Sequence, residues 1–155
     1  MPQSSDTEPV TSRRVIKTIE VTVYSLAKPT ERLERVVSAI ENVFPGLIMD
    51  IRFDRIEGYG GPQSLLTLHK LLREQRILDT ARSVIERGRV GNSFQFRLNK
   101  QAAFMGRLSF PPEEEALGSI HVSISGPEAL LDWLAPQTEN GEPVGEIDLE
   151  DIEDV

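Results

Sequence analysis

The folded part of the chain begins with apolar residues that alternate with polar ones. The apolar series starts at Val15 and continues through Ile19, Val21 and Val23. Because successive side chains of a strand point to opposite faces, this spacing predicts a first strand. From Leu33 to Phe44 the apolar residues recur at steps of three and four, which predicts an amphipathic helix that Pro45-Gly46 end.

A second alternating stretch runs from Leu47 to Asp54 and predicts a second strand, which the glycine-rich stretch at 58–62 would break. Two helical segments follow, one after Ser64 and one ending at Gly88, and the pattern leaves open whether they are continuous. The glycine-rich stretch before a capped helix is either an anion cradle or a turn, and the absence of the phosphate-loop and dinucleotide spacings favours the turn.

The next alternating stretch predicts a hairpin. Phe94 and Leu98 share a parity with Phe104 and Leu108, so pairing Leu98 with Phe104 places all four on one face. A further strand follows over residues 120–124, and then a short helix that Gly126-Pro127 open and Pro136 ends.

The predicted order is β-α-β-α-α-β-β-β-α, an α+β fold with a mostly antiparallel sheet and helices packed on one face. We expect a single domain over residues 13–138. Residues 1–12 are too polar to be buried and predict a disordered lead. Residues 139–155 hold eight acidic residues and no basic one, which predicts an acidic, flexible tail.

Composition excludes several classes of protein. The 155 residues include no cysteine, so disulfide frameworks and thiolate chemistry are excluded, and a reducing, cytoplasmic location is expected. The chain offers no signal-peptide core and no apolar run long enough to cross a membrane. Of its 17 basic residues only four are lysine and the net charge is −8. Adaptation to a salt-rich cytoplasm and a GC-rich genome each explain this bias.

The sequence favours binding over catalysis. The two histidines, His69 and His121, have no metal-ligand spacing, and no serine lies in a nucleophile elbow. The acidic residues cluster in loops and in the tail, where hydration keeps carboxylates ionised. We therefore predict no enzyme activity, no metal and no cofactor. A nucleotide-binding enzyme that uses the glycine-rich stretch is the catalytic alternative.

Basic residues are concentrated in the middle of the chain. Residues 70–107 hold nine basic and three acidic residues, a local charge of 9 − 3 = +6. Lys70 has an acid one helical turn away and Arg82 has two, so both are assigned to intrahelical pairs. Five of the remaining cations, together with the amides at the predicted hairpin tip, are the candidate RNA-binding residues: Arg73, Arg76, Arg87, Arg97, Asn99, Lys100 and Gln101.

The mode of binding is predicted from the parity of the aromatic residues. The four phenylalanines of the predicted hairpin share the core parity, so an aromatic stacking platform is not expected. Arginine–phosphate contacts to a structured RNA are expected instead.

Four segments resemble an archaeal family of predicted RNA-binding proteins whose fold is similar to that of large-subunit ribosomal protein five. They are LREQRILDTAR at 72–82, FRLNKQAAF at 96–104, LGSI at 117–120 and DWLAP at 132–136. The resemblance extends over residues 15–144, although Ala116 and Ser119 stand where the family often has proline. It implies an α+β fold, an archaeal source and RNA as a partner.

A protein-interaction module is the alternative to RNA binding. In that hypothesis the apolar helix faces serve a homodimer, or a partner in an RNA-processing or translation complex, without direct contact to RNA.

Overall fold

A six-stranded antiparallel sheet carries helices on one of its faces in the computed structural model, which describes residues 19–112 and 118–153. The strands are β1 (Glu20–Leu26), β2 (Ile48–Ile51), β3 (Arg55–Gly60), β4 (Arg89–Val90), β5 (Ser93–Asn99), β6 (Ser119–Ser125), β7 (Thr138–Glu139) and β8 (Glu142–Pro143). The helices are α1 (Leu33–Val43), α2 (Leu66–Glu74), α3 (Leu78–Arg87), α4 (Lys100–Phe104), α5 (Ala129–Leu134) and α6 (Leu149–Glu153), with a 3₁₀ turn at Pro62–Leu65.

The strands of the main sheet lie in the order β2-β3-β1-β6-β5-β4, and every neighbouring pair is antiparallel. Alternate residues of β1 and β6, such as Val23 and Val122, are buried beneath the helices in one hydrophobic core. The predicted α+β fold, with a mostly antiparallel sheet and helices on one face, is confirmed. The predicted lead at 1–12, and the first residues of the predicted first strand, lie outside the described residues.

The predicted break at the glycine-rich stretch is wrong, because β3 runs through it to Gly60. A two-residue turn after Arg52 reverses the chain, and the Arg52 N–H donates to the Arg55 carbonyl at 2.8 Å. A β-carbon on Gly58 or Gly60 would lie 2.9 or 2.6 Å from the Leu47 side chain. These glycines therefore permit close packing within a strand.

The predicted hairpin is also wrong. β5 pairs with β6, so Phe94 lies opposite Ile124 and Leu98 opposite Ile120. The segment that was predicted to return beside β5 begins instead with the helix α4, because the Asn99 side chain accepts a hydrogen bond from the Ala102 N–H at 2.8 Å and caps that helix. The two helical segments are separate helices, and Arg76 between them has a φ of 57°.

The prediction of a flexible acidic tail is wrong for residues 139–153, which fold against the domain. β7 and β8 form a small hairpin, and Ile152 of α6 is only 1% exposed. The carboxylates that were expected to repel one another find arginine partners instead, as Glu146 does with Arg73. The domain therefore extends beyond residue 138.

Candidate nucleic-acid interface

Aromatic and polar side chains gather on the face of the sheet that is turned away from the helices. In the register of the sheet, Tyr24 of β1 lies beside His121 of β6, which lies beside Arg97 of β5. In the next row of the sheet, Thr22 of β1 lies beside Ser123 of β6, which lies beside Gln95 of β5. Six of these side chains line one shallow depression, which is called the open-face site below: Thr22, Tyr24, Gln95, Arg97, His121 and Ser123.

Two stacked rings form the centre of the open-face site. The ring centroids of Tyr24 and His121 are 4.5 Å apart and the ring planes differ by 8°. Tyr24 is 39% exposed, so part of its ring faces solvent. Cross-strand neighbours in a sheet are close enough for such ring pairs to form. The pair gives a further planar group a surface on which to stack.

Arg97 brings a positive charge to the edge of this stacked pair. Its guanidinium donates one hydrogen bond, 2.8 Å long, to the Pro112 carbonyl. A guanidinium has five N–H donors in a fixed plane. This single contact therefore orients Arg97 and leaves it with donors for a phosphate or a base edge.

A second depression continues around the β5 edge of the sheet from the open-face site. Gln95 and Arg97 line both depressions, and Arg87 from the last turn of α3 lines the second one. Among the described residues Arg87 forms no ion pair. The structure therefore brings together two of the candidate RNA-binding residues, Arg87 and Arg97.

Acidic side chains also lie on this face: Glu20 precedes Thr22 on β1, and Glu57 of β3 lies opposite Tyr24. Glu57 accepts a hydrogen bond from the Tyr59 hydroxyl at 3.0 Å, and this bond and the charge of Glu57 raise the pKa of Tyr59. Arg55 lies 3.8 Å from Glu57, and Arg52 lies 3.3 Å from Asp50. These arginines partly neutralise the acidic half of the face.

The Arg73 guanidinium lies between α2, α5 and the C-terminal segment, away from the open-face site. Its guanidinium donates to the backbone carbonyls of His69, Leu134 and Trp133, at 2.9, 3.1 and 3.2 Å. It also makes two hydrogen bonds to Glu146, at 2.9 and 2.8 Å, which lower the pKa of that carboxyl. These contacts join α2 to α5 and to the C-terminal segment.

Arg76 lies 3.2 Å from Glu142 of the small hairpin, and both side chains are about two-thirds exposed. The assigned pairing of Arg82 within its own helix is wrong, because it lies 3.0 Å from Asp132 of α5. The pair Lys70–Glu74 forms as predicted. Neither Arg76 nor Arg82 lines the open-face site.

The three candidates at the predicted hairpin tip lie at the start of α4. Asn99 is the helix cap, and Lys100 is buried, with its ammonium donating to the Leu26 carbonyl at 2.7 Å and to Glu31 at 3.0 Å. Gln101 is exposed and lines a separate depression with Arg32 and Arg35 at the start of α1. These three residues share no depression with Arg97.

The sequence interpretation missed the stacked rings because it tested the parity of the phenylalanines alone. Tyr24 follows the core residue Val23, and His121 lies between the core residues Ile120 and Val122. Alternation therefore already assigns both rings to the outer face. The missing information was that β1 and β6 are neighbours, because no local pattern fixes the order of strands in a sheet.

Two further kinds of site are absent from residues 19–112 and 118–153. No group of three or more histidine, aspartate or glutamate side chains there could hold a metal ion. No helix in these ranges has the length and the apolar composition required to cross a membrane.

Sequence comparison places this chain in a wider group. A family model described as RNA binding matches residues 19–125. UPF0201 proteins from Sulfolobus acidocaldarius and Methanosarcina acetivorans are 41% and 40% identical, over 81% and 87% of this chain and 93% and 95% of theirs. A UPF0200/UPF0201 protein from Archaeoglobus fulgidus is 40% identical, and the match spans 43% of its length.

Solved structures share the fold. A UPF0201 protein from Methanococcus jannaschii has 34% identity and a TM-score of 0.74, covering 81% of this chain and 99% of that protein. A second UPF0201 protein has 37% identity and a TM-score of 0.71, with the same coverage of both chains. The likeness to ribosomal protein five stays a prediction.

Proposed function

Since the chain belongs to the archaeal UPF0201 family and residues 19–125 match a model described as RNA binding, we propose that it binds structured RNA on the open-face site. The observation that carries this proposal is the stacked pair of Tyr24 and His121 beside Arg97, in which Tyr24 is 39% exposed. The role is binding, without catalysis.

The chemistry of the site fits an unpaired base of a loop or bulge. Sequence-specific proteins take such bases because the grooves of an RNA helix are hard to read, and they hold them by stacking on flat side chains. The Tyr24–His121 pair supplies the flat surface. The amide of Gln95 and the hydroxyl groups of Thr22 and Ser123 lie within the same depression and can hydrogen-bond to base edges.

The phosphates on either side of the base would be held by arginine. Arg97 lies at the edge of the stacked pair and Arg87 lies farther along the continuous depression. Charge-assisted, bidentate contacts of this kind act at short range, so they suit a protein whose net charge is −8. Stacking is thus added to the arginine–phosphate contacts that the sequence alone predicted.

Replacement of Tyr24 by alanine tests the stacking surface. We expect Tyr24→Ala to weaken the binding of hairpin RNAs with a randomised loop by about tenfold or more, because stacking on an aromatic side chain contributes about 1–3 kcal/mol per base. Tyr24→Phe, which keeps the ring, should bind like the unaltered protein, and so should Tyr59→Ala on the acidic half of the same face. The measurement is fluorescence anisotropy with labelled RNA. Equal binding by Tyr24→Ala and Tyr24→Phe would overturn the proposal.

A matched pair of arginine substitutions tests the position of the site. Arg97→Gln should reduce RNA affinity several-fold, whereas Arg76→Gln, which removes the same charge, should leave it unchanged because Arg76 pairs with Glu142. Circular dichroism melts of both variants show whether the fold is retained. If Arg76→Gln loses affinity and Arg97→Gln does not, the RNA lies on the helical side of the molecule. Failure of the unaltered protein itself to bind RNA would support the protein-interaction alternative.

A further inference from the structure

The outer edge of β2 has unpaired backbone groups. β2 is the last strand at its end of the sheet, and no strand within residues 19–112 and 118–153 pairs with its outer side. The Arg52 N–H donates to the Arg55 carbonyl, so in the alternating antiparallel ladder Asp50 also directs its backbone groups toward β3. Met49 and Ile51 therefore direct their N–H and C=O groups outward.

This edge is also apolar. Ile48, Ile51 and Phe53 are 77%, 52% and 88% exposed, which places three large apolar side chains in one short segment. Soluble proteins usually protect a sheet edge with proline, lysine or a bulge, and β2 contains no proline or lysine. Such an edge is suited to pairing with another strand.

The charges of Asp50 on β2 and of Arg52, which directly follows β2, identify the partner. Since Met49 and Ile51 carry the outward groups, a second β2 strand in antiparallel orientation can pair Met49 with Met49, Met49 with Ile51, or Ile51 with Ile51. The first register leaves Asp50 opposite an isoleucine and the second places two copies of Asp50 opposite each other. Only the third places Asp50 of each copy opposite Arg52 of the other. The strand is thus complementary to itself in one register.

We propose that a second copy of this chain pairs with β2 in antiparallel orientation about a two-fold axis at Ile51, joining two six-stranded sheets into one. Two Asp50–Arg52 pairs then form between the copies on the open face. Met49, Ile51 and Phe53 of both copies lie together on the other face. Opposite charges in directly facing positions stabilise strand pairs and like charges destabilise them, so the charges select this register.

The axis of such a dimer is perpendicular to the sheet, so the open-face sites of both copies lie on the same side. Five strand spacings separate the two β1 strands, a distance of about 24 Å. The dimer requires no RNA, and the test of it is therefore independent of the test of RNA binding.

Reversing the charge of Asp50 or of Arg52 tests the proposal. The measurement is sedimentation velocity on ribonuclease-treated protein. The unaltered protein should be dimeric. Asp50→Arg and Arg52→Asp each place like charges opposite each other twice in the dimer, and each should raise its dissociation constant by about tenfold or more. Glu41→Arg, on the exposed face of α1, is the matched control and should remain dimeric.

An equimolar mixture of the two single variants distinguishes pairing between copies from effects within one chain. Each variant has lost the 3.3 Å contact between Asp50 and Arg52 of its own strand, and mixing does not restore that contact. In the Ile51-centred register, however, each variant presents the charges that the other lacks, so the mixture should form heterodimers with a dissociation constant about tenfold or more below that of either variant alone. A monomeric unaltered protein, a single variant that dimerises as tightly as the unaltered protein, or a mixture that associates no more tightly than its components would overturn the proposal.

Discussion

Lys100 keeps a charged ammonium group almost entirely out of water. Its side chain is 7% exposed, and the ammonium is held by the Leu26 carbonyl and by the carboxylate of Glu31. A buried charge is tolerated only where partners replace its hydration. Lys100 therefore joins the start of α4 to the end of β1 and to the loop before α1.

Replacement of Lys100 by alanine should destabilise the protein without weakening RNA binding. The substitution leaves Glu31 and the Leu26 carbonyl without their donor, and we expect the free energy of unfolding to fall by about 2–3 kcal/mol. Urea denaturation measures this loss. Gln101→Ala, at the exposed neighbouring position, is the control and should change stability by less than about 0.5 kcal/mol. Loss of RNA affinity in a fully folded Lys100→Ala protein would instead restore Lys100 as a contact.

The carboxyl of Glu31 makes part of this stability dependent on pH. Partial burial raises the pKa of Glu31, but hydrogen bonds from the Lys28 N–H and from Lys100, with the charges of both lysines, outweigh burial and hold the pKa below its ordinary value of 4.5. A group with a lowered folded-state pKa stabilises the protein above its unfolded-state pKa, and this contribution is lost as the pH falls through the folded-state pKa.

Thermal melts at descending pH should detect this contribution. Between neutral pH and about pH 3 the Tm of the unaltered protein should fall more steeply than that of Glu31→Gln, because the amide does not titrate. Glu41→Gln, at an exposed position, controls for the general effect of removing one carboxylate and should keep the original slope. Parallel curves for Glu31→Gln and the unaltered protein would show that Glu31 has the same pKa in both states.

At the level of the elements, Gly88 joins α3 to β5 at a very close approach. The Gln95 N–H donates to the Gly88 carbonyl at 2.9 Å, and a β-carbon on Gly88 would lie 1.7 Å from the Gln95 backbone oxygen. The Gln95 backbone oxygen cannot move away from such a β-carbon unless β5 moves with it. β5 carries Gln95 and Arg97, so the contact also positions the open-face site.

Gly88→Ala should therefore reduce both stability and RNA affinity. The overpacked contact should lower the free energy of unfolding by about 2 kcal/mol or more, and the displaced strand should weaken RNA binding. Gly61→Ala is the control, because its β-carbon would meet only the Gln63 side chain at 3.8 Å. Chemical denaturation and anisotropy on the same samples measure the two effects. If Gly88→Ala were as stable as the unaltered protein, β5 and α3 would have to lie farther apart than the structure places them.

Some elements could be predicted from the sequence and others could not, for physical reasons. β1, α1, β6 and α5 have clear periodicity and clear ends, so local pattern was sufficient. β3 was missed because glycine usually breaks a strand, whereas here Gly58 and Gly60 make room for Leu47. The hairpin was predicted because Phe104 and Leu108 continue the parity of β5. That parity cannot reveal a helix capped by Asn99, or that β6 is the partner of β5.

At the scale of the whole molecule, ion pairing removes most of the basic cluster that marked the middle of the chain. Six of its nine cations pair with acids, four of them with residues beyond position 125: Lys70, Arg73, Arg76, Arg82, Arg89 and Lys100. Pairs between residues so far apart in the sequence cannot be recognised from the sequence, so the basic cluster predicted too many RNA-contacting residues. Within the described residues Arg87, Arg97 and Arg107 form no ion pair, and two of these line the continuous depression.

The salt dependence of RNA binding follows from this distribution. Each phosphate that a protein neutralises on single-stranded nucleic acid contributes about −0.7 to the slope of log affinity against log salt. Contacts from Arg87 and Arg97 alone therefore predict a slope of about −1 to −2, with stacking on Tyr24 supplying affinity that salt does not screen. Arg97→Gln should make the slope shallower by about 0.7, and Arg73→Gln should leave it unchanged. A slope of about −4 or steeper would require six or more phosphate contacts, more than the cations of this face can make, and would move the interface to another surface of the molecule.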